Sequence, residues 1–229
     1  AGRIRRFSLQ GGQVRHDFTY DSLGRLIHAV DPDVGPRAMQ YDDASRLVRS
    51  ENGAGDLVRY EYDGAGRLVS VTADGVANRY HYDVARSDGF ARTAGQLAWA
   101  EESTGSVEFG YDELGRMATL QRTISQGGDV VVGRESTRFS PSGLTRSVDL
   151  GDGVTLPMHY DAAGRIADIE GVWAVESYDA ANLPERERFA NGVIQRYERD
   201  VLNRARKVTV ENASRTFYDV AATYNAFGA

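Results

Sequence analysis

Tyr62-Asp63-Gly64-Ala65-Gly66-Arg67-Leu68 decides the reading of this chain, because near-copies of it recur along all 229 residues. With Tyr62 as the reference slot, equivalent positions fall at Tyr20, Tyr41, Tyr82, Tyr111, Phe139, Tyr160, Tyr178, Arg199 and Tyr224. The usual step is 18 to 21 residues. Self-similarity at a fixed period marks a repeat architecture, in which each unit buries its apolar face only by stacking on its neighbours.

Each copy reads as a β-hairpin. Before the turn, large apolar residues alternate in period two, as in Phe18/Tyr20, Met39/Tyr41, Tyr60/Tyr62, Tyr80/Tyr82, Phe109/Tyr111 and Met158/Tyr160, so each pair shares one face of a strand. Asp63 then accepts from backbone amides of the turn that it opens, and Gly66 suits the left-handed residue closing a short loop with a bulge. Arg67-Leu68 begins the return strand. The Gly66 slot is filled by Gly2, Gly24, Gly115, Gly143, Gly164 and Gly228, and by Asn182 and Asn203; Asn is the next residue to tolerate positive φ. Ser45 and Arg86 are the exceptions.

The motif resembles the tyrosine-aspartate (YD) repeats of Rhs proteins, of the shell components of Tc toxin complexes and of teneurins. Four segments carry the resemblance: Tyr20-Asp21-Ser22-Leu23-Gly24-Arg25-Leu26, Tyr62 through Leu68, Tyr111-Asp112-Glu113-Leu114-Gly115-Arg116-Met117 and Tyr160-Asp161-Ala162-Ala163-Gly164-Arg165-Ile166. The expected fold is all-β, with repeated antiparallel hairpins forming one long, curved and spiralling sheet over residues 1–229, about ten repeats excerpted from a longer array. Twenty strands at ~4.8 Å make a ribbon of roughly 95 Å, about two-thirds of one turn around a compact ~150-residue cargo.

By the same resemblance the chain is a structural segment of a hollow shell that encloses and helps to deliver a C-terminal toxin domain. Its implied partners are the remainder of that shell, the enclosed toxin, and secretion-system or Tc components; its implied localisation is secretion or delivery by bacteria. In the family, a segment after the repeats acts as an aspartyl self-protease, but neither its motif nor a toxin is present here. A second reading is a cell-surface adhesion or carbohydrate-binding module, with Trp99 and Trp173 as stacking platforms.

Composition narrows the rest. A net charge of −6 lacks the basic footprint of a nucleic-acid binder, and 26 of the 27 basic residues are arginine, Lys207 being the one lysine. Zero cysteines exclude a disulfide framework and thiolate-ligated zinc. No stretch reaches the ~18 apolar residues of a membrane span. Arg25, Arg46, Arg67, Arg116, Arg165 and Arg204 follow the turn slot, where they are expected to meet the aspartates of neighbouring turns in a charged ladder.

The irregular stretches are few. Asp31-Pro32-Asp33-Val34-Gly35-Pro36 is expected to be a surface turn, and Ser125-Gln126-Gly127-Gly128-Asp129 a connection between strands at Met117 to Gln121 and Val130 to Val132. After Tyr82-Asp83 the turn carries nine extra residues and closes at Gly95-Gln96-Leu97. Asn212-Ala213-Ser214 is a formal glycosylation acceptor.

No catalytic constellation emerges. His16, His28, His81 and His159 are far apart, no phosphate loop or nucleophile elbow is present, and eight turn aspartates already have a structural reason to exist. The chain is therefore expected to be neither an enzyme nor a cofactor or metal binder.

Overall fold

The computed structural model describes residues 3–9 and 14–224. The turn-slot residues Gly2 and Gly228 lie outside them. Every regular element among the described residues is a strand. The chain divides into two compact units, Ala1–Arg134 and Glu135–Ala229.

The first unit opens with β1 (Arg6–Leu9), β2 (Val14–Tyr20), β3 (Leu26–Asp31), β4 (Gly35–Tyr41), β5 (Leu47–Asn52) and β6 (Leu57–Tyr62). It continues through β7 (Leu68–Ala73), β8 (Val76–Tyr82), β9 (Leu97–Glu102), β10 (Gly105–Tyr111) and β11 (Met117–Gln126). Every strand from β1 to β11 pairs antiparallel with its chain neighbour. β12 (Asp129–Phe139) spans the division.

The second unit comprises the end of β12, then β13 (Thr145–Asp149), β14 (Thr155–Tyr160), β15 (Ile166–Ile169) and β16 (Trp173–Tyr178). It ends with β17 (Pro184–Phe189), β18 (Ile194–Arg199), β19 (Ala205–Glu211) and β20 (Thr216–Ala221). The same neighbour-to-neighbour pairing runs from β12 to β20.

The turns that join these strands alternate between two sheet edges, and only one edge carries the repeated motif. At that edge the register shifts by a bulge at each slot residue, as at Thr19/Tyr20, Gln40/Tyr41, Glu61/Tyr62 and Glu198/Arg199. The cause is local: the left-handed turn residue inserts one extra position on the return side. The other edge is variable. Asp74 and Gly75 turn β7 into β8 with φ of 52° and 80°, and Gly127-Gly128 turns β11 into β12 with φ of 62° and 95°. Those two glycines shorten the expected connection, so β11 and β12 grow to 10 and 11 residues. The expected Asp31 turn forms, with Asp31 Oδ1 accepting from the amides of Asp33 and Val34 at 2.8 and 3.3 Å.

A single sheet layer cannot sequester its side chains, and the burial shows it. Phe90 and Ala98 are the buried apolar residues among those described, and no large side chain is fully enclosed. The slot tyrosines and the leucines that open the return strands, such as Leu26, Leu47 and Leu68, sit half-buried, so stability rests on contacts along the sheet rather than on a core beneath it.

The extra residues after Asp83 fold back onto the sheet. The Tyr111 amide donates to Ala91 O at 2.9 Å, and Thr93 Oγ1 donates to Asp83 O at 2.7 Å. A Cβ on Gly110 would meet the Thr119 Cβ at 3.3 Å and the Ala91 N and Phe90 Cα at 3.4 Å, so the loop packs closely over this glycine. Arg134 lies over the Phe90 ring at 4.9 Å, and Arg92 pairs with Glu113 at 2.8 Å. The loop thus braces the sheet from β8 to β12, which is why Phe90, Thr93 and Glu108 are among the few buried residues.

Candidate functional site: a clasp repeated along one sheet edge

The recurrent arrangement begins with Asp21. Its amide donates to Arg25 O at 3.0 Å and the Gly24 amide returns to Asp21 O at 2.9 Å. Its Oδ1 accepts from the amides of Leu23 and Arg25 at 3.0 and 2.8 Å, and its Oδ2 accepts Arg25 Nε at 2.6 Å. One carboxylate therefore satisfies the turn amides and orients the arginine that follows. The same set recurs at Asp63/Arg67 (Nε to Oδ2, 2.7 Å), Asp112/Arg116 (2.6 Å) and Asp161/Arg165 (2.7 Å). It recurs also at Asp42/Arg46 and Asp200/Arg204, at 2.7 and 2.8 Å.

The arginine then reaches the next hairpin. Arg25 lies over the Tyr41 ring at 5.1 Å, Arg46 over Tyr62 at 4.8 Å, Arg67 over Tyr82 at 4.4 Å and Arg165 over Tyr178 at 4.0 Å. The tyrosine hydroxyl donates back to the carbonyl of the residue after that arginine: Tyr41 to Leu26 at 2.9 Å, Tyr62 to Leu47 at 2.9 Å and Tyr82 to Leu68 at 3.0 Å; Tyr111 does the same to Leu97 at 2.8 Å, with Gln96 in the arginine's place. Tyr20 donates likewise to Ile4 O at 3.1 Å under Arg3. The clasp therefore has three parts: a carboxylate that fixes an arginine, an arginine on a ring, and a hydroxyl locked to the preceding hairpin.

The four quoted motifs differ only in how fully the clasp is made. Tyr20, Asp21, Gly24 and Arg25, Tyr62, Asp63, Gly66 and Arg67, and Tyr111, Asp112, Gly115 and Arg116 come together as described, as do Asp161, Gly164 and Arg165 with Tyr160 at the bulge. Gly24, Gly66, Gly115 and Gly164 have φ of 78°, 86°, 75° and 77°. Ser45 occupies the same slot at φ 63°, as do Asn182 and Asn203. The exception at Ser45 is thus one of residue type and not of conformation. In the fourth repeat Gly95 takes the role at φ 77°, its amide donating to Asp83 Oδ1 at 2.7 Å.

The expected ladder of arginines on neighbouring aspartates is corrected by this geometry. Each guanidinium is already committed to its own aspartate four residues back, so what it offers the next hairpin is its face and a spare Nη1. Arg25 Nη1 reaches Asp42 O at 2.8 Å, and Arg165 Nη1 reaches Asn182 Oδ1 at 2.7 Å. Arg67 does contact the next carboxylate, Asp83 Oδ2, at 2.8 Å, because the expanded turn re-aims that side chain.

Two features escape the motif. Asn52 to Asp56 builds the same turn at the opposite edge, with the Asp56 and Ala54 amides on Asn52 Oδ1 at 2.9 and 3.0 Å and Asn52 Nδ2 on Asp56 Oδ2 at 2.8 Å; an Asn four residues before an Asp was the available signal. Arg199 replaces a tyrosine, donating through Nη1 to Pro184 O at 2.7 Å and Asp179 Oδ2 at 2.9 Å.

The electrostatics follow from this bonding. The Arg67 amide and side chain hold the Asp63 carboxyl below its usual range, and the Arg165 and Arg204 side chains do so for Asp161 and Asp200. Burial raises the Tyr111 hydroxyl.

The tryptophans are engaged. Trp99 stacks on His81 at 3.4 Å between ring centroids and carries Arg86 at 4.9 Å, while Trp173 Nε1 donates to Glu187 at 3.1 Å. His159 is bound to Asp168 at 2.7 Å. No group of three metal-ligating side chains and no helix long and apolar enough to cross a membrane occurs among the described residues.

Fold and clasp together define a hairpin-repeat sheet protein whose motif is architectural. Residues 41–78 match the family model of the RHS repeat. It is 28% identical to the double-stranded DNA deaminase toxin A of Burkholderia cenocepacia, over 88% of this chain and 15% of that protein. It is 31% identical to the "Probable deoxyribonuclease RhsB" of Dickeya dadantii, over 59% of this chain and 11% of that protein. A solved structure titled TcdB2-TccC3 shares the fold at a TM-score of 0.76 and 17% identity, covering 93% of this chain and 12% of that one. The chain thus spans about one-seventh or less of the length of these relatives.

Proposed function

We propose that this chain is a wall segment of an Rhs-type β-shell that encloses a toxin domain of its own parent protein until delivery from the bacterium. The observation that carries the reading is the pairing of a one-layer sheet with a clasp at nearly every hairpin. Such a wall gains span with each repeat and needs no core of its own, which suits a container. The ten-slot register supports treating residues 1–229 as one array of a longer chain. The wall itself is then not an enzyme, takes no cofactor, and has the rest of the shell and the cargo as partners, with secretion or Tc-type components beyond them.

Limited proteolysis of the full-length parent with mass spectrometry tests this. The expected result is a protected, separately releasable segment. A parent digested evenly along its length overturns the container reading.

A further inference from the structure

Residues 84–92 lie as a flap over one face of the first unit, and the base of the flap is tied. The Asp83 amide donates to Gln96 O at 3.1 Å and the Gln96 amide to Thr93 O at 2.8 Å, while the Thr93 hydroxyl and the Gly95 amide both return to Asp83. A loop whose ends are closed on each other can move as one piece. Both of its joints are left-handed without being glycine: Asp83 has a φ of 70° and Arg92 of 56°. Such residues hold backbone strain for as long as their surroundings keep them in place.

Under the flap lies a second cost. Glu108 on β10 stands opposite Trp99 on β9 and Gln121 on β11. It shares its face with Gly110, two residues on, where Ala91 and Phe90 of the flap pack closest to the sheet. Arg86 of the flap covers the Trp99 ring at 4.9 Å. Glu108 is only 5% exposed, and its Oε2 is enclosed with no hydrogen-bond partner among the described residues. Glu101, on the same face, instead meets Arg79 at 3.5 Å. A buried polar group without a partner opposes the state that buries it. Against these costs stand the Phe90 ring seated beneath Arg134, the Arg134 Nη2 donation to Gly89 O at 3.4 Å, the Arg92–Glu113 pair and the Tyr111 amide on Ala91 O.

We propose that residues 84–92 are a hinged flap that opens as a unit about Asp83 and Arg92 while the sheet beneath stays paired, with the unpartnered Glu108 carboxyl setting its balance. Opening relaxes both joints and lets water reach Glu108. Closing returns Phe90 to its seat and the Tyr111 amide to its acceptor. The opening is local, because the ties among Asp83, Thr93, Gly95 and Gln96 hold the base while the flap lifts. The device rests on the packing of this one face and stands independently of the container reading.

Hydrogen exchange of the full-length protein, read by mass spectrometry at the Tyr111 amide and across β7, tests this. The expected protection at Tyr111 is at least tenfold below that across β7 and is unchanged by sub-denaturing urea, since a local opening exposes little new surface. Glu108→Leu, which removes the unpartnered group at similar volume, slows exchange at Tyr111 at least tenfold. Arg134→Ala, which removes an exposed clamp on the flap, speeds it at least threefold and leaves β7 unchanged. Exchange at Tyr111 that matches β7 in protection or in urea dependence, or that either variant leaves unchanged or moves the other way, overturns the proposal.

Discussion

Arg199 sits where the register places a tyrosine, and its Nη1 lies 2.9 Å from Asp179 Oδ2. Asp179 has Leu183 where its own arginine should stand, so its cation arrives from the following hairpin instead of from its own turn. The same nitrogen donates to Pro184 O, the carbonyl that a tyrosine hydroxyl would have taken. Two departures from the motif, 16 residues apart, thus restore one clasp with its donor reversed.

The two changes should be coupled. Arg199→Tyr alone leaves Asp179 without a cation and should lower the Tm by roughly 2–4 °C, about one lost hydrogen bond's worth in a chain of this size. Adding Leu183→Arg should recover most of that loss. Thermal melts of the two single variants and the double variant measure it; purely additive effects would contradict the reversed clasp.

Gly164 tests the turn itself. Its φ is 77° and a Cβ there would meet nothing within 4 Å, so Gly164→Val should cost about 1–2 kcal/mol through backbone strain alone. Gly164→Asn should be nearly neutral, as Asn203 already holds φ 63° in the same slot. Equal denaturation midpoints for the two variants would refute the assignment.

Tyr62 separates ring from hydroxyl. Tyr62→Phe keeps Arg46 on the ring and loses only the bond to Leu47 O, about 1 kcal/mol; Tyr62→Leu loses the ring contact as well, a further ~0.5–1 kcal/mol. Urea titration of both variants checks the order.

The pH response has two signs. Asp63, Asp161 and Asp200 titrate lower when folded, so their contribution is complete above the unfolded carboxylate value near 3.8 and is lost as pH falls through the depressed folded values. His159, raised by its hydrogen bond to Asp168, contributes fully below its unfolded value of 6.5 and ceases to as pH rises through the folded one. Melting temperature should fall steeply below pH 4, and His159→Gln should lose a small increment seen at pH 6 and absent at pH 9.

Phe90 anchors the expanded turn. Phe90→Ala removes the buried ring beneath Arg134 and should cost about 3 kcal/mol, with faster hydrogen exchange at the Tyr111 amide, whose acceptor Ala91 O is then no longer held.

The hairpins were legible because their signal is local. Aspartate, glycine and arginine at fixed offsets dictate a turn within five residues, and period-two aromatics dictate the flanking strands. The partner of each arginine was not legible in the same way. Whether Arg25 serves Asp21 or Asp42 depends on how far its side chain reaches across the bulge, and no spacing in one dimension carries that distance. The brace of residues 84–95 was visible as length but not as packing, since Phe90, Gly110 and Arg134 meet only once three hairpins lie side by side. Asn52 and Asp56 were overlooked for a simpler reason: they use the turn chemistry of the motif without its tyrosine.

Each clasp joins one hairpin only to the next, so a pull on the chain's ends would load a single clasp at a time. Extension should then proceed as a staircase, each step releasing about twenty residues, or roughly 70 Å of slack at full extension. Arg199 with Asp179, and the brace at residues 84–95, would be the treads of unequal height.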